Sequence, residues 1–169
     1  MGRRRDVYLH LRSCSVLFFS LAALALLGCG PKYLEGTEIP ETPENREVAD
    51  LIESYRRAME ARDVDALAAL VSPEYYENTG KTSSDDEDYG YETLREVVLP
   101  LLRDNIKSVQ MRIRITRIEI LGERANADFE FWLRFLFTEG GREGWRQWND
   151  YNRLELVREE GEWRIAGGL

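Results

Sequence analysis

The sequence predicts an α+β domain in which helices come first and antiparallel strands follow. Apolar residues recur at helical spacing between residues 43 and 102, whereas apolar and polar residues alternate with period two from residue 109 to residue 165. Short glycine-containing segments separate the alternating stretches, and such short connections join antiparallel rather than parallel strands. We therefore expect about three N-terminal helices packed on a curved, mostly antiparallel sheet.

The first two helices have clear start and stop signals. Thr42 and Pro43 have the residue types of an N-cap and a first helical position, and the helix should run to about Ala61. Asp63 can cap a second helix, which must end before Pro73.

A short extended piece at residues 75–76 and a polar, acidic loop at residues 81–90 should precede the third helix. Pro100 should kink or interrupt this helix, because proline has no amide hydrogen to donate. The apolar positions that mark it are Leu94, Val97, Val98, Leu101 and Leu102.

The first long strand should contain a β-bulge. Its apolar phase slips near Thr116 and Arg117, and one extra residue in a strand produces such a slip and bends the sheet. The apolar positions before the slip are Val109, Met111, Ile113 and Ile115, and those after it are Ile118 and Ile120.

The next strand carries a long apolar face between Ala125 and Phe137 and should end in a turn at residues 140–141. A third strand should run from about residue 145 to 158, and Trp163 and Ile165 should be buried together on a last strand. Leu154 and Leu156 define the inward face of the third strand. By parity, Trp148, Asp150 and Asn152 point the same way.

Residues 1–28 have the features of a secretory signal. Four arginines precede an apolar run at residues 16–27, which is shorter than the roughly 20 residues of a membrane-spanning helix. Leu26-Leu27-Gly28-Cys29 resembles the lipobox of bacterial lipoproteins, which implies that the leader is removed and Cys29 is acylated. An ordinary cleaved signal and an uncleaved anchor are the alternatives.

The resemblance divides the chain into a signal peptide (1–28), a lipidated cysteine with a flexible tether (29–42) and a folded domain (43–169). An ordered arm at residues 33–34 is the alternative to a fully flexible tether. Several acyl chains hold a protein stably at a membrane. Because Gly30 follows Cys29, the resemblance also implies an outer-membrane location, facing the periplasm, in a Gram-negative host; in any host it implies the cell envelope.

Composition excludes several classes of function. Without residues 1–28 the chain keeps 19 basic and 30 acidic residues, a net charge of −11, which disfavours nucleic-acid binding. His10 and Cys14 both lie in the leader, so the domain at 43–169 has neither histidine nor thiol. A histidine-dependent triad, a cysteine nucleophile and a typical zinc site are therefore excluded there, and we expect neither a metal ion nor a cofactor.

Three segments of the domain resemble the NTF2-like superfamily, which includes SnoaL-like and ketosteroid-isomerase-like proteins. They are residues 55–67 (YRRAMEARDVDAL), 72–76 (SPEYY) and 161–165 (GEWRI). The resemblance implies a cone-shaped fold over about residues 43–169, with a pocket between the bent sheet and the first helices. A cystatin-like domain is the structural alternative.

The resemblance also implies where the site residues lie. Tyr55 matches the tyrosine that stabilises an oxyanion in isomerase-like members, and Glu77 falls near the position of the family's catalytic aspartate. Asp150 and Asn152 lie near a second acidic position, and Trp148 should form pocket wall. The candidate catalytic residues are thus Tyr55, Glu77 and Asp150. The candidate ligand-binding residues are Tyr55, Trp148, Asp150 and Asn152.

Two classes of function fit these residues. The first is a non-catalytic envelope module that binds a small apolar ligand or a protein partner. The second is a small proton-transfer enzyme, an isomerase, dehydratase or cyclase, which uses Tyr55 with Glu77 or Asp150. The missing histidine and the missing family aspartate favour the binding module. Trp132 and Leu136, on the outer sheet face, could form a homodimer patch.

Lipidation of Cys29 can be tested directly. Cells that express the protein should incorporate labelled palmitate into it, whereas the Cys29→Ala variant should stay unlabelled. Cys14→Ala is the matched control and should be labelled like the wild type. An unlabelled wild-type protein would contradict the lipobox interpretation.

Overall fold

The computed structural model describes residues 30–78 and 88–169. The leader, Cys29 and most of the acidic loop lie outside these residues. Residues 33–169 form one compact unit, and all buried core side chains of the described residues lie within it. Since the unit carries its own hydrophobic core, we expect a fragment with residues 30–169 to fold by itself.

The segment before the first helix has an ordered part. Tyr33 and Pro40 form an antiparallel bridge, and the Leu34 amide donates a hydrogen bond of 2.9 Å to the Ile39 carbonyl. Leu34 and Ile39 are buried. Residues 33–40 thus adopt the arm-like arrangement that the sequence left open as the alternative to a flexible tether.

Helix α1 (Pro43–Ala61) and helix α2 (Val64–Ala69) start at the predicted caps. The Thr42 hydroxyl accepts from the Asn45 amide at 3.1 Å, and the Asp63 carboxylate accepts from the Ala66 amide at 2.9 Å. Each cap satisfies an amide that has no partner within its helix. No helix of the described ranges 30–78 and 88–169 has the length and apolar character to cross a membrane.

The third helical region is interrupted, as predicted, but the interruption precedes Pro100. Two short strands, β1 (Tyr76–Glu77) and β2 (Tyr89–Gly90), pair with each other before it. The region then consists of α3 (Tyr91–Thr93), a π-helical turn (Leu94–Val98) and α4 (Leu99–Asn105). The Leu99 amide donates to the Leu94 carbonyl, five residues back, which is the bond of a π-helix. Pro100 has no amide hydrogen and cannot donate the next helical hydrogen bond, so the wider π-helical turn forms just before the proline ring.

Three long strands and one short strand form the main antiparallel sheet in the order β3-β4-β5-β6. They are β3 (Ile106–Leu121), β4 (Arg124–Glu139), β5 (Arg142–Glu159) and β6 (Glu162–Gly167). The register of β3 against β4 shifts between Ile115 and Arg117, which confirms the predicted bulge. Gly140 and Gly141 both have positive φ in the β4–β5 turn, as a tight hairpin requires. Helices before an antiparallel sheet confirm the α+β prediction.

Helix α1 packs its apolar face on the concave side of the sheet. The side chains that bury this contact include Val48, Ile52, Tyr55, Phe129, Leu154 and Ile165. The same helix also covers the free edge of β3. The Glu60 carboxylate accepts from the Met111 amide at 2.8 Å, and the Arg62 guanidinium donates to the Ile106 carbonyl at 2.7 Å. These bonds satisfy edge groups that would otherwise be open to pairing with another chain.

The opposite edge, on β6, is covered by the chain that follows α2. The Ser72 amide donates to the Ile165 carbonyl at 2.8 Å, and the Ile165 amide donates to the Leu70 carbonyl at 2.9 Å. Trp163 and Ile165 are both buried, which confirms the predicted parity of the last strand.

Truncation of Trp163 should destabilise the domain strongly. Its ring is 6 % exposed and lies under the Arg158 guanidinium at 4.4 Å. Trp163→Ala should therefore cost about 3–5 kcal/mol of unfolding free energy, measured by urea denaturation of the 30–169 fragment. Trp145→Ala is the matched control, because its ring is 46 % exposed, and it should cost less than about 1 kcal/mol. Equal losses would mean that Trp163 is not a core residue.

Candidate functional site

A cavity of about 310 Å³ lies on the concave side of the sheet, beside α1. Its apolar wall comes from Met59, Met111, Phe129, Phe131, Leu133 and Leu169. The side chains that sequence analysis singled out all line it: Tyr55, Glu77, Trp148, Asp150 and Asn152. The structure therefore brings the five predicted residues to one cavity, whereas their roles stay predictions.

Tyr55 projects from α1 into this cavity, because its position continues the buried helical stripe of Val48, Leu51 and Ile52. The side chain is 6 % exposed. Burial raises the pKa of the Tyr55 hydroxyl to about 12, since the phenolate would lose its hydration. The hydroxyl stays protonated at neutral pH. It makes no hydrogen bond with any residue of the described ranges, so it is available to donate to a bound molecule.

Glu77 is held in a different way. Its Oε2 accepts from the Tyr75 hydroxyl at 2.6 Å and from the Gly168 amide at 2.9 Å. The Tyr75 oxygen in turn accepts from the Leu169 amide at 3.3 Å. Burial, followed by the contact with Glu77, raises the pKa of Tyr75 above its ordinary value, so this hydroxyl remains a donor. Glu77 thus fastens the backbone of residues 168–169 to β1.

Sequence reasoning missed the part of Tyr75 and Gly168 in this arrangement. Tyr75 was predicted only to begin an extended piece. Its spacing of two from Glu77 was a usable signal, because alternate residues of an extended segment share a face. Nothing near Gly168 in the sequence indicated a close backbone contact.

Gly168 cannot be another residue without a backbone shift. It has φ +81°, and a Cβ built on it would lie 1.9 Å from the Arg153 carbonyl oxygen. The Asn152 amide group also donates to the Gly168 carbonyl at 2.7 Å. Asn152 therefore has two roles: it lines the cavity, and it holds Gly168, which forms part of the cavity wall.

Trp148 and Asp150 form the rim of the cavity, where both side chains are exposed. The Trp148 indole nitrogen lies 3.3 Å from Asp150 Oδ2, and the Tyr151 amide donates to Asp150 Oδ1 at 2.8 Å. The Trp148 and Phe131 rings pack in a T-shaped arrangement, with centroids 6.0 Å apart. A half-exposed ring beside a carboxylate is a surface on which an apolar molecule with a donor group can lie.

Trp132 and Leu136 lie on the convex face, away from the cavity, as their strand parity predicts. The Arg112 guanidinium covers the Trp132 ring at 5.6 Å. The homodimer patch stays a prediction. Within residues 30–78 and 88–169, no group of three or more His, Cys, Asp or Glu side chains is placed to hold a metal ion.

Comparison with known proteins gives one matching family and many solved structures of similar fold. The model of the SnoaL-like domain family matches residues 40–167. No curated protein matches the chain by sequence.

Among solved structures, a conserved protein from Planctomyces limnophilus is similar over 74 % of this chain and 92 % of its own, at 13 % identity and a TM-score of 0.62. A ketosteroid isomerase-like protein from Erwinia carotovora atroseptica is similar over 75 % of this chain and 94 % of its own, at 14 % identity and a TM-score of 0.60. An NTF2-like superfamily protein from Salmonella enterica is similar over 73 % and 86 %, at 14 % identity and a TM-score of 0.59. At these identities the likeness shows the fold.

Gly168→Ala should destabilise the domain more than a positive φ alone explains. Gly122 also has positive φ, but its added Cβ would meet nothing within 4 Å. Gly122→Ala should cost about 1–2 kcal/mol, whereas Gly168→Ala should cost at least about 3 kcal/mol, because a clash is added to the strain. Urea unfolding of both variants measures the difference. Equal losses would show that residue 168 moves freely and does not close the cavity.

Proposed function

The chain belongs to the SnoaL-like domain family, and we propose that it is a non-catalytic binding module of the bacterial cell envelope. In this proposal Cys29 carries the lipid that anchors it, and the cavity beside α1 binds a small, mainly apolar molecule. Attachment at Cys29 follows from the lipobox resemblance, and an outer-membrane position follows from Gly30 if the host is Gram-negative.

The cavity wall supports an apolar ligand. Phenylalanine, leucine and methionine side chains supply most of its surface, and its volume of about 310 Å³ is at the lower end for small-molecule sites. Apolar walls supply most of the affinity in such sites, while a few polar groups fix the orientation. The Tyr55 hydroxyl inside the cavity and the Asp150 carboxylate at its rim can supply the polar contacts that orient the ligand.

The observation that carries the proposal is that the Glu77 carboxylate already accepts hydrogen bonds from the protein itself. A proton-transfer enzyme needs a base and a stabilising donor that converge on one substrate atom. Here the carboxylate nearest to the family's base position accepts two hydrogen bonds from the protein itself and fixes the cavity wall. These two contacts favour a structural role for the Glu77 carboxylate.

A second candidate function is a proton-transfer enzyme of the isomerase, dehydratase or cyclase type. It is favoured by one observation, namely that Tyr55, Glu77 and Asp150 all line the same cavity. In that case the neutral Tyr55 hydroxyl would donate to a developing oxyanion. Glu77, or Asp150 at the rim, would be the base.

Two substitutions separate the candidates. For the 30–169 fragment, small apolar and aromatic molecules are screened by calorimetry, and each ligand found is tested for turnover. A binding module should lose about threefold to tenfold in affinity with Asp150→Ala, since the polar contact at the rim is removed. Glu77→Gln should change affinity little, because glutamine keeps an acceptor oxygen. Asn149→Ala, on the opposite face of the same strand, is the control.

An enzyme should behave differently. Glu77→Gln or Asp150→Asn would abolish turnover while ligand binding remains, because only the base is neutralised. Turnover of any bound ligand that disappears in either variant would overturn the proposal of a non-catalytic module.

A further inference from the structure

A second cavity, of about 740 Å³, opens on the same concave face. It lies between the C-terminal end of α4, the C-terminal end of β4 and the N-terminal part of β5. Trp148 lines both this outer cavity and the inner cavity described above. Phe135 and Phe137 continue the aromatic row of Phe129 and Phe131 along β4 at alternate positions. One elongated molecule can therefore lie along this face, from the inner cavity past Trp148 into the outer one.

The two cavities differ in charge. The inner cavity has two carboxylates among its described lining residues, those of Glu77 and Asp150. Among the described residues of the outer cavity, Arg146 alone is charged. Its guanidinium lies 5.0 Å from the centre of the Phe137 ring, and within the described ranges it forms no ion pair. The face is thus negative at its inner end and positive at its outer end.

We infer that the ligand is an elongated amphipathic anion, with an apolar body and one anionic group such as a carboxylate. This inference rests on the proposed function. The anionic end pairs with Arg146, while the apolar body packs on Phe135 and Trp148 and reaches toward the inner cavity. Asp150 lies four positions after Arg146 on β5, a distance of roughly 13 Å, which suits an alkyl chain of about ten carbons. Glu77 and Asp150 oppose the reverse orientation by like-charge repulsion.

The test uses three probes of equal chain length and different charge. Dodecanoate, dodecanol and dodecylamine compete with the neutral fluorophore N-phenyl-1-naphthylamine for the 30–169 fragment. Dodecanoate should bind about fivefold more tightly than dodecanol, the gain of a partly exposed ion pair with hydrogen bonds. Dodecylamine should bind no more tightly than dodecanol.

Arg146→Gln should remove the preference, so that this variant binds dodecanoate no more tightly than dodecanol, whereas Arg146→Lys should keep part of the preference. Arg134→Gln is the matched control, because that guanidinium also covers an aromatic ring, Trp145 at 4.2 Å, but lies on the opposite face. It should keep the full preference.

Three results would overturn the inference while the proposed function stands: equal binding of the acid and the alcohol, tightest binding of the amine, or an acid preference that survives Arg146→Gln. If neither the fluorophore nor any of the three probes binds, the proposed function fails as well. Far-ultraviolet circular dichroism confirms that each variant is folded before it is compared.

Discussion

The packing of α1 against a curved sheet is the constraint on which the rest of this domain depends. The three long strands have 16, 16 and 18 residues, and strands of that length must twist and bend to enclose a core. The bulge between Ile115 and Arg117 supplies part of the bend. A single helix of 19 residues then fills only part of the hollow. The two cavities lie along the part of the concave face that the helix leaves open.

The position of α1 on the sheet depends on polar as well as apolar groups. Apolar burial would hold α1 on the sheet in several neighbouring positions, because the hydrophobic effect has no direction. The Met111 amide donates to the Glu60 carboxylate, and the Arg62 guanidinium donates to the Ile106 carbonyl; these two bonds fix the helix along β3. They therefore determine the depth at which Tyr55 enters the inner cavity, and with it the burial that keeps its hydroxyl protonated.

Sequence patterns predicted the elements well because their signals are local. Thr42 and Asp63 act as caps within three residues, and the phase slip near Thr116 can be read directly from neighbouring positions. Strand parity also placed Trp148, Asp150 and Asn152 on one face. The bond from the Gly168 amide to Glu77 could not be predicted in this way, because the two residues are 91 positions apart and meet only through the fold. The family resemblance implies a base near that position, and the structure adds that the Glu77 carboxylate accepts two hydrogen bonds from the protein itself.

The π-helical turn at Leu94–Val98 bears on how this fold tolerates changes in length. Leu94 and Leu99 are five residues apart and both are buried, a spacing that a regular α-helix would place on different sides. A π-turn holds one additional residue per turn, so it absorbs a single-residue insertion and returns the following helix to the same face. The segment between Tyr91 and Asn105 is thus a point where the chain can gain or lose one residue at the cost of a local hydrogen-bond rearrangement. Related chains with and without such a residue would keep the same sheet and the same cavities, and an alignment without a gap here would pair the wrong leucines.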